Sequence, residues 1–366
     1  MTRAQPTGLE PVTPVKLQAV SATERASFRR CHRQWFLTIA HRLDPAEGNQ
    51  NFWLGELVHT SLQAYYEGQR DGLSHMDRVG PAMDAFERAT TEALGVVAQD
   101  LGFLWPYARD HWYDLADLAR QMLQGYYYRE QYEPLVTSVV EVERRRFIPI
   151  RSASGRRVGT LTVRTDLVGY RGKRLAVIDH KTASQRMPSA MLDIDDQLTA
   201  EAYAVYRDLG VFPEEAVYNA LLKKVPGPPR ELKPDKDGNP KLSKDKDQLT
   251  TSRLYIDEVR RLGLNVTDYS DIIETLRARE AADETPFWYR EATFRTPGQI
   301  KAFEANLLAE WRDMVAVAKD PLRAYPNPSM FACPSCSVRE ICTGLMDGSD
   351  LEGLIQSNYS IKDPRY

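Results

Sequence analysis

Two sets of residues in this 366-residue chain have the types and spacing to do chemistry. The first is its complete set of four cysteines: Cys31 near the start, then Cys333, Cys336 and Cys342 in the run Cys-Pro-Ser-Cys-Ser-Val-Arg-Glu-Ile-Cys. Four thiols complete the ligand shell of one zinc ion or one iron–sulfur cluster, and the Cys-x2-Cys spacing serves both, so spacing leaves the metal open. For either, Cys31 and Cys333 must meet in space, which closes nearly the whole chain into one loop. The second set is Asp179 and Lys181, which follow the apolar run Leu175-Ala176-Val177-Ile178. Such a run reads as a buried strand, and residues two apart on it leave the same face. The preceding stretch, 159–170, alternates, with Leu161, Val163 and Thr165 one way and Thr162, Arg164 and Asp166 the other. A turn at Arg171-Gly172-Lys173 then brings Asp166 towards Asp179 and Lys181. Two carboxylates and a lysine at one sheet edge suit metal-assisted phosphodiester hydrolysis. Carboxylates hold Mg2+ or Mn2+, the ion polarises the phosphate and acidifies the attacking water, and lysine orients that water or neutralises developing charge. Alone, Asp-x-Lys is a weak signal, because strands often carry exposed charges of both signs.

The elements around these residues add two more candidates. Residues 52–66 carry apolar side chains at 54, 57, 58, 62 and 65, the spacing of an amphipathic helix. Gly55 and His59 lie one turn apart on it, so a small residue would let the helix approach a neighbouring backbone at which His59 points. The plainer reading is a packed helix histidine. Asp195-Asp196-Gln197 opens the helix after the Asp-x-Lys strand, and Gln197 can reach the lysine or a phosphate, or be an ordinary polar residue near a helix start.

Taken in order, Cys31, Gly55-x3-His59, Asp166, Asp179-x-Lys181, Gln197 and Cys333-x2-Cys336-x5-Cys342 resemble the RecB-like branch of the PD-(D/E)-x-K nuclease superfamily. More closely, the pattern is similar to the iron–sulfur exonucleases related to the CRISPR-associated RecB-like nucleases, many of them phage-encoded. The resemblance spans residues 27–342. It implies an α/β fold, a mixed central sheet flanked by helices, with a helical insertion and a four-cysteine cluster joining the N- and C-terminal regions. It implies His59, Asp166 and Asp179 as Mg2+ or Mn2+ ligands, with the His180 carbonyl as a further one. Lys181 would be the catalytic lysine, and Gln197 would support it or the DNA backbone. Cys31, Cys333, Cys336 and Cys342 would bind a [4Fe–4S] cluster, with zinc as the lesser alternative. The implied activity is hydrolysis of DNA at free ends or in single strands, with recombination or replication proteins as partners by resemblance alone. Two alternatives stand beside it: a non-catalytic DNA-binding scaffold and a structure-selective endonuclease. One departure is visible. The family pattern has a tyrosine one turn after the glutamine, where this chain has Glu201, and the nearest tyrosine is Tyr203.

Composition fits a globular enzyme, since 42% hydrophobic residues over this length bury a sizeable core. A net charge of −3 gives no global attraction to DNA, so contacts to phosphate would fall to local clusters. The candidates are Arg25, Arg29, Arg30 and Arg33; Arg144, Arg145 and Arg146; and Arg171, Lys173 and Arg174. Each is equally read as a solvated face. Arg3, Lys16 and Glu24 interrupt the first 25 residues, so no secretory signal is expected, and no run approaches the ~20 apolar residues of a membrane span. A cytoplasmic protein follows (host cytoplasm if phage-encoded), where reduction disfavours disulfides. No Gly-x4-Gly-Lys-Ser/Thr loop is present, so no motor of that type is expected.

The chain divides into a loose Pro-rich segment (1–20), a first cluster-ligand segment (21–51) and a helical region with the histidine (52–133). Its aromatics, Trp105, Trp112 and Tyr126–Tyr128, suit either core packing or base stacking. A nuclease core (134–224) is followed by a polar Pro/Lys-rich loop too polar to build a core (225–250). Helices and a strand complete the core (251–325), before a cysteine-cluster segment (326–345) and a polar tail (346–366).

Overall fold

The computed structural model describes residues 17–45, 50–102, 105–234, 236 and 238–361, so most of the expected N-terminal segment lies outside the described residues. Ser21 ends the strand β1 (Ala19–Ser21) and opens helix α1 (Ala22–Arg30). Its hydroxyl accepts the Glu24 N–H while the Glu24 carboxylate accepts the Ser21 N–H, a reciprocal capping box. Next come α2 (His32–Trp35), a π-helical turn over Phe36–Ala40, and β2 (Leu43–Pro45). Three long helices follow, α3 (Gln50–Arg70), α4 (His75–Leu101) and α5 (Trp105–Glu130). The strands β3 (Ser138–Arg151), β4 (Arg157–Arg171) and β5 (Arg174–Ala183) lead to α6 (Ser189–Leu192), α7 (Asp196–Leu209) and β6 (Glu215–Leu222). An excursion through β7 (Glu231–Leu232), β8 (Lys241–Leu242), α8 (Ser252–Arg261) and α9 (Ser270–Ala281) precedes β9 (Trp288–Phe294) and α10 (Pro297–Lys319). The chain closes with α11 (Arg339–Asp347), α12 (Leu351–Asn358) and β10 (Tyr359–Ile361).

Strand β4 is the spine of a mixed six-stranded sheet. The antiparallel β3 covers one edge of it. The other edge is shared by parallel β1 at Thr160–Thr162 and antiparallel β5 at Leu167–Arg171. β6 then pairs parallel to β5, and β9 antiparallel to β6. One apolar core joins Leu161, Val163 and Val177 of the sheet to Leu198 and Tyr203 of α7 and to Phe303 and Trp311 of α10. A second joins Leu167, Ile178 and Val217 to Leu54, Tyr66, Tyr126 and Tyr127 of α3 and α5. The fold is therefore a mixed central sheet flanked by helices. Among the described residues no helix is long and apolar enough to cross a membrane.

Several local expectations change. Strict alternation fails in β4: Leu161 and Val163 face the α7–α10 side but Leu167 faces α3–α5, and the phase shifts where Glu143 of β3 adopts a left-handed φ of 47°. Trp112, Tyr126 and Tyr127 are core side chains, which removes them as stacking surfaces. Residues 225–250 contribute the β7–β8 hairpin, and Leu242 is buried among Tyr255, Ile256, Val259 and Leu276 of α8 and α9. The polar tail is anchored: β10 pairs with β2, and Leu351 packs with Leu37, Leu43, Val338 and Ile341.

Two arginines of α1, Arg25 and Arg29, are structural. Arg25 has a fully buried side chain that donates to Glu310 of α10 at 2.7 Å and Asp196 of α7 at 2.9 Å, with its guanidinium 4.5 Å from the Phe303 ring centre. Arg29 reaches the same two acids at 2.6 and 2.8 Å. Arg146 lies buried between Glu141 and Asp208, and Arg171 and Arg174 both donate to Glu215. Arg25→Met should therefore cost about 1–3 kcal/mol in urea unfolding, because Asp196 and Glu310 lose one of their two arginine partners but keep Arg29. Exposed Arg145→Met should change stability by no more than about 0.5 kcal/mol.

Candidate active site

β4 and β5 pair from Arg171/Arg174 to Leu167/Ile178 and then part, because β5 continues its ladder with β6 alone as far as Ala183/Leu222. At the fork a side chain replaces the lost backbone partner: the His180 N–H donates to Asp166 Oδ2 at 2.8 Å. Asp166 thus lies within the long β4 rather than at a strand end, and shares the crotch of the fork with Asp179. Asp179 Oδ1 accepts from Lys181 Nζ at 2.6 Å and from the Gln197 amide at 2.8 Å. Gln197 is delivered by the first turn of α7, whose start is fixed by the Asp195 carboxylate accepting the Leu198 N–H at 2.7 Å.

His59 arrives from α3. Its Nε2 faces the His180 carbonyl at 2.9 Å, so the proton belongs on Nε2. That leaves Nδ1 buried without a hydrogen-bond partner, 3.5 Å from Glu143 Oε1 and 3.6 Å from Asp166 Oδ2. Ligand atoms of His59, Glu143 and Asp166 all lie within 4.8 Å of one another. An unpartnered imidazole nitrogen facing two carboxylates is a donor set that fits a divalent cation. A Cβ added at Gly55 would meet Thr182 Oγ1 at 3.5 Å, an ordinary contact, so the helix approach does not require the glycine.

The fork therefore brings together His59, Asp166, Asp179, Lys181 and Gln197. It separates off the His180 ring, which turns to the other face, stacks on Tyr66 with ring centres 5.4 Å apart and accepts from Asn219 at 2.8 Å. Only the His180 carbonyl faces the site, and His59 already occupies it. Tyr203 points away, donating to Glu304 of α10 at 3.1 Å. Glu143 escaped the sequence reading, masked by the Arg144–Arg146 run beside it. Its signal is register: β3 folds back on β4 so that Glu143 falls between the Val142↔Leu167 and Arg144↔Thr165 pairs, alongside Asp166.

Crowding sets the charge states. Burial, then the neighbouring Asp179 and Glu143, push Asp166 up to about 6 against the opposing pull of His59 and Lys181. Burial lowers His59, but Glu143, Asp166 and Asp179 outweigh it and hold the imidazole above its ordinary value. Lys181 is likewise desolvated, yet Asp179 and Asp166 raise it, so it is an ammonium. His180, buried with no acid at its ring, is held well below the usual histidine value and is neutral.

The four cysteines share one neighbourhood at the far end of α1. Burial and then the Cys31, Cys342 and Cys333 thiols raise the Cys336 thiol. Cys31 Sγ accepts the Asn327 N–H at 3.4 Å, and Cys333 Sγ accepts the Ser329 N–H at 3.3 Å. Arg33, rather than facing solvent, donates to the Ala324 carbonyl at 3.1 Å beside Cys342.

With this geometry in hand, comparison with known families is decisive: the family model of the PD-(D/E)XK nuclease superfamily matches residues 19–343. The chain belongs to that superfamily. Its members are typically metal-dependent nucleases that use divalent ions. No curated protein matches the chain.

A cation held by His59, Glu143 and Asp166 would have to displace the proton of Asp166, and that of His59 Nδ1 where the imidazole is charged. Calorimetric Mn2+ affinity should fall as pH drops through about 6, where Asp166 becomes protonated, with proton release visible as a dependence of the heat on buffer ionisation enthalpy. Asp166→Asn should remove most of the binding and its pH dependence.

Proposed function

We propose that this protein is a metal-dependent deoxyribonuclease that degrades DNA from its ends, of the RecB-like, iron–sulfur kind. The observation that carries the hydrolytic reading is the fork at Asp166 and Asp179, where two buried carboxylates, an unpartnered His59 nitrogen and a charged lysine converge. His59, Asp166 and Asp179, with Glu143, would hold Mg2+ or Mn2+. A divalent ion bound there would polarise the scissile phosphate and lower the pKa of the attacking water.

The chain's own groups account for the remaining requirements. Lys181, anchored on Asp179 and near Gln197, presents a fixed ammonium that orients the water and offsets charge developing on the phosphoryl oxygens. Asp166, tied to the backbone at His180, keeps its carboxylate from swinging out of the cleft. Arg164 donates to Glu143 at 3.0 Å and lies opposite exposed Arg145 on the neighbouring strand, a basic pair along which the DNA backbone would lie. The four neighbouring thiols would hold a [4Fe–4S] cluster, with zinc as the lesser alternative. Its role would be to fasten the terminal segments to the core. Recombination or replication proteins are partners by resemblance alone.

End-labelled linear DNA, single- and double-stranded, tests this in Mg2+, Mn2+ or EDTA. Metal-dependent degradation is expected, lost about 10²–10³-fold in Lys181→Ala, with circular DNA left intact. Cutting of circles would replace the exonuclease by an endonuclease. DNA binding without cutting in either metal would leave a scaffold. Anaerobically purified protein should carry about four irons and four acid-labile sulfides per chain, whereas a single zinc would reject the cluster.

A further inference from the structure

Glu201 lies on α7 one turn beyond Gln197, is 1% exposed, and has no part in the hydrolysis as described above. Its Oε1 accepts from Gln197 Nε2 at 3.1 Å, and the same nitrogen donates to Asp179 Oδ1 at 2.8 Å. Its other oxygen, Oε2, is buried without a hydrogen-bond partner. Burial, then Asp179 and Asp166, push its carboxyl well above the usual range. A buried carboxyl with an unsatisfied oxygen, set among two other acids, is costly, and an apolar side chain of the same length would pack α7 without that cost.

The hydrogen bonds show what the carboxyl contributes. A glutamine amide has two N–H donors on one end and an acceptor on the other. Asp179 and Glu201 together take both donors, which fixes the amide so that Gln197 Oε1 faces Lys181 Nζ at 3.5 Å. With Asp179 as the sole acceptor, the amide is free to rotate and Lys181 loses its second contact.

We propose that Glu201 is a positioning residue of the nuclease site: it orients the Gln197 amide and, through it, holds Lys181 against Asp179. The kinetic part of this inference rests on the nuclease reading, and the structural part does not.

Both parts are tested with Glu201→Leu, which removes the acceptor, and Glu201→Gln, which keeps an oxygen there. In metal-free protein labelled with [15N]glutamine, the Gln197 side-chain amide is identified by its loss in Gln197→Ala. It should move towards the free-amide position in Glu201→Leu and stay close to its wild-type position in Glu201→Gln. On DNA, Glu201→Leu should lower kcat about 10–100-fold with KM little changed, and Glu201→Gln should restore most of it. On a Gln197→Ala background, Glu201→Leu should have little further effect, since both act through one contact. Glu201→Met replaces Glu201→Leu if thermal unfolding shows the leucine variant to be unfolded. An unmoved amide, or losses that multiply in the double variant, overturns the proposal. A wild-type protein that cuts no DNA overturns the nuclease reading alone, and the amide signal then decides the positioning role.

Discussion

One backbone N–H organises the centre of this molecule. In an unbroken antiparallel ladder the His180 N–H would be served by a carbonyl of β4. Here β5 leaves β4 after Ile178 to follow β6, and the Asp166 side chain takes that N–H instead. The substitution keeps the strands apart and draws one carboxylate into the gap beside the next, Asp179. His180 is then fixed through all its polar groups but one: its carbonyl by His59, its ring by Asn219 and Tyr66, its N–H by Asp166. Beneath it, Asn219 donates to Tyr126, Tyr126 bonds Tyr66, and the buried Arg290–Glu130 pair closes the network. Apart from the unpartnered His180 Nε2, this buried network is hydrogen-bonded throughout and makes a rigid floor beneath the crowded charges of the cleft.

The second constraint links the two ends of the chain to that cleft. α1 ends at Cys31, and its Arg25 and Arg29 grip Asp196, the residue before Gln197, together with Glu310 of α10. The segment that carries the first cysteine is therefore wired by ion pairs to the helix that carries Gln197. On the far side, the β2–β10 pairing and the Leu37, Leu43, Val338, Ile341 and Leu351 cluster hold the last cysteines against the same segment. The opposite end of the sheet, where Arg171 and Arg174 neutralise Glu215, is electrostatically self-contained.

Much of this was legible in the sequence because the informative residues sit on strongly patterned elements. The Leu-Ala-Val-Ile run ahead of Asp179 reads as a buried strand, and it forms one. What stayed hidden depended on pairing and on backbone irregularity. Glu143 becomes a neighbour of Asp166 only through the β3–β4 register and a left-handed backbone that no local residue type announces. Arg25 resembles its solvent-facing neighbours until α7 and α10 close over it. The anchoring of the polar tail was hidden because its few apolar residues find partners some 300 residues earlier, around Leu37 and Leu43. Glu201 stood out in the sequence as a departure from a pattern, but only the burial of its carboxyl against Gln197 gives it a task.

The fork between β4 and β5 is the proposed metal-binding centre. That assignment is tested most directly by a crystal of the protein soaked in Mn2+ and measured at the manganese absorption edge. An anomalous peak is expected in the cleft, within coordination distance of His59, Asp166 and Asp179, and it should disappear in Asp166→Asn. A peak elsewhere, or none at the fork in a crystal whose four-cysteine site is intact, would contradict it.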